Sequence, residues 1–121
     1  MSTAQRNTIQ RYLALDVEDL YSIIPAYLPD YDETLFSPQG QILAGRRYIE
    51  DSMKKLRKSV CEDFDWPSKR DNPEFDDTIN LIATVADAIA VHITSVPPIL
   101  ISVLLFKRGL DSLCHGNGTR A

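Results

Sequence analysis

Residues 79–106 read INLIATVADAIAVHITSVPPILISVLLF, and Pro97-Pro98 divides this run in two. Asp87 is its one acid, and it holds no lysine or arginine. The first half keeps a helical period. Phe75, Ile79, Ile82, Ala86, Ile89 and Ile93 alternate steps of four and three, which places them on one helix face. Leu81, Val85 and Ala88 widen that face, and Asn80, Thr84 and Asp87 remain as a narrow polar strip. The second half, Ile99–Phe106, is apolar on every side apart from Ser102. A helix of that kind belongs in the centre of a bundle, at an interface or in lipid. Proline is favourable in a first helical turn, so Pro97-Pro98 marks a corner and a new start. The pattern predicts a helical hairpin, about 74–93 and 97–114, as the apolar core of an all-α protein. Lys107 and Arg108 fall near its C-terminal end, where cations meet the helix dipole favourably.

Upstream of the hairpin the chain reads as three further helices, five in all, and no segment alternates with the period of a strand. The first covers Thr3–Leu13. The second opens at Asp16, with Asp19 in the capping-box position. Pro25 lacks a backbone donor and kinks or ends it. Pro29–Gly40 reads as loop. The third helix, Gln41 to about Glu62, carries the stripe Ile42, Ile49, Met53, Leu56 and Val60. Trp66-Pro67 is read as its stop, because the residue before proline is pushed out of the helical region. Asp63–Glu74 is then a polar connection. One helical domain over 1–115 is expected, with a flexible tail over 116–121.

The chain has 121 residues, a net charge of −4 and a pI near 5.0. That balance argues against a global field for nucleic acid or anionic lipid. Residues 41–60 nevertheless carry six basic groups, and residues 61–80 carry seven acidic ones. The basic block, Arg46, Arg47, Lys54, Lys55, Arg57 and Lys58, lies opposite the apolar stripe of the third helix. It is the candidate partner-binding face. Tyr48 is the one aromatic within it, so the stacking partners of a nucleic-acid binder are missing.

Other chemistry is weaker. Asp63, Asp65, Asp71 and Glu74 match four ligand positions of a calcium loop, but Pro67 and Ser68 stand where an oxygen ligand and a glycine are needed. Cys61, His92, Cys114 and His115 lack the tight pairing of a zinc site. Cys61 reads as a semi-buried filler. There is no nucleophile elbow, phosphate loop or metalloprotease motif. Two cysteines do not make a disulfide framework, and the N-terminal stretch lacks the apolar core of a signal peptide. The expectation is a cytoplasmic chain with reduced thiols.

These readings converge on a non-enzymatic interaction or regulatory domain without metal or cofactor. It is expected to act through protein–protein contacts and to form homo-oligomers through excess apolar helix faces, a homodimer first. The alternative is a membrane-associated small protein using the hairpin 79–106. An enzyme would need Asp87, His92 and a cysteine to converge in one concave site.

Overall fold

The computed structural model describes residues 3–29 and 37–115, the last by its backbone alone. The 116–121 tail expected to be flexible lies outside the described residues. Helices account for every regular element described, so the fold is all-α.

The hairpin is formed, with tighter limits than the sequence suggests. Helix α6 spans Thr78–Ala90, and the Asp77 carboxylate caps it by accepting from the Ile79 N–H at 3.0 Å. Pro73–Asp76 is a separate 3₁₀ turn capped by Asn72. At the other end Val91 is exposed, and the Ile89 carbonyl accepts from both His92 and Ile93. Helix α7, Pro98–Arg108, begins at the diproline and buries six consecutive residues, Leu100–Leu105. Ser102 keeps its place in that apolar series by donating to the Ile82 carbonyl at 2.8 Å. A buried hydroxyl is tolerated when paired in this way.

The predicted fifth helix is two. Gly109 adopts φ 104, a conformation that side chains disfavour, and its N–H closes the end of α7 on Leu105 and Phe106. The chain restarts as α8, Leu110–His115.

The predicted third helix is also interrupted. Ser37 caps α3, Pro38–Asp51, with Pro38 in the first turn. A tight turn at Ser52 leads into α4, Met53–Arg57. The backbone then widens into a π-helical turn over Lys58–Asp63, in which the Phe64 N–H reaches the Ser59 carbonyl. Ile49, Leu56 and Val60 are fully buried, so the stripe survives both breaks. The unit ends at Asp63, within a residue of the expected Glu62, but Trp66-Pro67 is not what stops it. Phe64 and Asp65 end it before the proline, with Asp65 left-handed at φ 61, and Trp66-Pro67 opens a short helix α5, Trp66–Lys69. Proline suits an opening turn because its missing donor has no helical partner there.

The N-terminal helices close the other side. Helix α1, Thr3–Leu13, packs on α6 and α7 through Ile9. Helix α2, Val17–Ile23, packs on α3 and α7 through Leu20 and Tyr21. Pro25 converts its end into a 3₁₀ turn, Ile24–Tyr27. Gly45 lets α3 meet α2 backbone to backbone, since a Cβ there would overlap the Tyr21 carbonyl. One cluster of buried residues runs through all of these contacts. The five-helix count therefore becomes eight short α-helices among the described residues, because Ser52 and Gly109 break what periodicity alone joins and α5 forms inside the stretch read as a polar connection.

Candidate functional site

The six basic residues do not form one flat face. Arg46 and Arg47 are exposed on α3, and Lys54 and Lys55 are exposed on α4. The Arg46 guanidinium lies 5.4 Å from the centroid of the Tyr21 ring, which fixes it beside α2. Arg57 is turned inward. It is partly buried, its Nε has no hydrogen-bond partner among the described residues, and it lines a cavity of about 260 Å³ with Met53, Leu105 and Arg108. Lys58 sits at the start of the π turn, 3.8 Å from Glu62 and 3.5 Å from Asp63.

Leu43 was not part of that set, and it is the residue sequence reasoning missed. It is 60% exposed on α3, one position off the buried stripe. An open depression of about 670 Å³ runs past it, bordered by Ala44, Arg46, Arg47, Glu50 and Asp51. Basic and acidic side chains thus follow one another within a turn around an exposed leucine. Glu50 also pairs with Arg108 at 3.4 Å, tying α3 to the end of α7. The available signal was an apolar residue standing out of phase with Ile42 and Ile49.

Of the residues weighed for catalysis, His92 and the two cysteines are engaged elsewhere. His92 Nε2 lies 2.8 Å from Asp63 Oδ2, not against Asp87, which is exposed on α6. The His92 hydrogen bond holds the Asp63 carboxyl below its ordinary value, with help from Lys58 and against a smaller effect of burial. The two cysteines are bonded to each other, with Cα atoms 5.4 Å apart. Cys61 is half-buried against the core, as expected of a filler, and it is bonded to Cys114 in addition. A separation of 53 residues gives no local signal, and the fold brings α8 back to the π turn.

The four acids of the apparent calcium loop are not arranged around one point. Asp63 faces His92 and Lys58, while Asp65 accepts from the Ser68 hydroxyl at 2.8 Å. Among the described residues no three His, Cys, Asp or Glu side chains are grouped to hold a metal ion. No described helix is long and apolar enough to cross a membrane. Most of the large apolar residues of the hairpin lie inside the fold, Ile82, Ile89, Leu100, Ile101, Leu104 and Leu105 among them, while Val91 is exposed. Comparison with protein-family models, curated proteins and solved structures finds no match to this chain.

Proposed function

We propose that this is a non-enzymatic helical domain that works by binding a protein partner through the outer face of α3. The observation that carries the reading is Leu43, a leucine 60% exposed that shares an open depression with Arg46 and Arg47 on a helix whose opposite side is core. An isolated exposed apolar residue is ordinary. Here it borders a depression with Arg46 and Arg47, the composition of an anchor point with a charged rim. The partner surface would offer an apolar pocket for Leu43 and acidic groups for the two arginines. The same face has a second reading as a self-pairing surface. Glu50 and Asp51 follow Arg46 and Arg47 by one turn, so a second copy in antiparallel register would meet opposite charges.

The test uses Leu43→Asp, the pair Arg46→Glu and Arg47→Glu, and Asp87→Lys as a control on a distant helix. Circular dichroism first establishes that each variant folds. Photo-crosslinking from position 43 in cells identifies what touches the face. Binding of the purified crosslinked partner should be lost with Leu43→Asp, fall with the arginine pair and with rising salt, and persist with Asp87→Lys. Light scattering of the pure chain at micromolar concentration decides between a foreign partner and a second copy. A partner that binds all variants equally overturns the assignment of the face.

A further inference from the structure

Helix α8 has six residues, too few to be stable alone, and it joins α7 through the left-handed Gly109. Three ties hold it to the body. Leu110 and Leu113 are buried under it. Asp111 accepts from the Trp66 indole at 2.8 Å and from Arg70 at 3.2 Å, both on exposed surface. Cys114 is bonded to Cys61 in the π turn. The bond packs against the core, with Cys114 itself buried, and it also borders a cleft. Both cysteines line a cleft of about 290 Å³ together with Trp66, Arg70 and Asp111, and Cys61 is partly exposed where Cys114 is only 6% so.

We propose that the Cys61–Cys114 bond is a thiol–disulfide exchange site, open to a dithiol reductant while the protein is folded, and that its reduction releases α8. The thiolate of the dithiol attacks Cys61 Sγ from the cleft. The sulfur–sulfur bond breaks, its electron pair leaves on Cys114, and Cys114 takes up a proton. The second thiol of the reductant then attacks the mixed disulfide and expels Cys61 as a thiolate, which is protonated in turn. The reductant departs as a disulfide, having given two electrons and two protons to the protein. With the covalent tie gone, α8 keeps the buried Leu110 and Leu113 and the exposed contacts of Asp111, those with Trp66 and Arg70 among them, and Gly109 is the pivot about which it swings. This inference stands apart from the α3 face and does not depend on it.

The experiment uses the full oxidised chain, millimolar dithiothreitol and native buffer. Alkylation and mass measurement count free thiols. The emission of Trp66, the one tryptophan of the chain, reports its contact with Asp111. Trypsin cleavage after Lys107 and Arg108, read after a reducing quench, reports release of α8. Two thiols should appear without unfolding, the emission should shift, and cleavage should accelerate by about tenfold or more, as expected when it tracks the population of an open form. Oxidised dithiothreitol should reverse all three. The double variant Cys61→Ser and Cys114→Ser should behave like the reduced chain, and if it does not fold the reagent experiment on the natural chain decides alone. A bond reducible only after denaturation overturns the proposal. So does a reduced chain that keeps the emission and cleavage rate of the oxidised one, or one whose thiols the oxidised reagent cannot rejoin.

Discussion

Gly45 of α3 faces the Tyr21 carbonyl of α2 so closely that a side chain has no room between them. Gly45→Ala must therefore push two helix backbones apart, although alanine is the better helix former by about 1 kcal/mol. Overpacking in a close-packed interior costs about 1–3 kcal/mol and sometimes more. The expected result is a loss of about 2 kcal/mol or more in urea unfolding. A variant as stable as the parent would show that α2 and α3 do not make this contact.

Leu104 is fully buried in α7, the helix that α1, α2, α6 and α8 all touch. Leu104→Ala should cost about 2–5 kcal/mol. Ser102→Ala in the same helix removes the donor to the Ile82 carbonyl, and should cost about 1 kcal/mol. Chemical denaturation of both variants checks the order. A change under about half a kcal/mol for Leu104→Ala would fit a surface site.

The Asp63 carboxyl is held below its ordinary value by His92 and Lys58. A group lowered in the folded state adds stability above its unfolded value, near 3.9, and that stability is lost as pH falls through the folded value. Asp63→Asn should therefore melt below the parent at neutral pH, and the difference should disappear in acid. Melting curves from pH 7 down to pH 2 read this directly. A gap that widens in acid would carry the wrong sign.

Lys54 and Lys55 are exposed, whereas Arg57 is partly buried beside Met53 and Leu105. Exposed charges contribute little, about 0–1 kcal/mol per pair. Replacing Lys54 and Lys55 with glutamine should move the melting temperature by a few degrees at most, since a kcal/mol corresponds to about 2–8 °C in domains bracketing this size. Arg57→Ala should shift it measurably through lost packing of the side-chain stem. Equal responses at the three positions would place Arg57 on the surface with the lysines.

The hairpin was legible because its signal is long. Six residues from Phe75 to Ile93 keep the period without a miss, and Ile99–Phe106 offers a polar side only at Ser102. The breaks were not legible. Ser52 and the π turn leave Ile49, Leu56 and Val60 buried, so nothing in the apolar pattern betrays them. Gly109 carried a signal, since glycine ends helices and Lys107-Arg108 precede it, but Leu110 and Leu113 carry the apolar pattern past it. The candidate face was half legible. Its charges stood out, yet the inward turn of Arg57 and the exposure of Leu43 depend on helix phase after a break. The pairing of Cys61 with Cys114 is a property of the closed fold, and no window of sequence contains it.

That pairing also gives the chain a ring. Residues 61–114 form a covalent circle that encloses α5, α6 and α7, and α1 to α4 hang from it as a branch. A cut between Asp71 and Asp77 would open the backbone without dividing the molecule. The severed ends would stay tethered through the sulfur bridge, and the N-terminal helices would remain one piece with the hairpin, even unfolded, for as long as that bridge lasts.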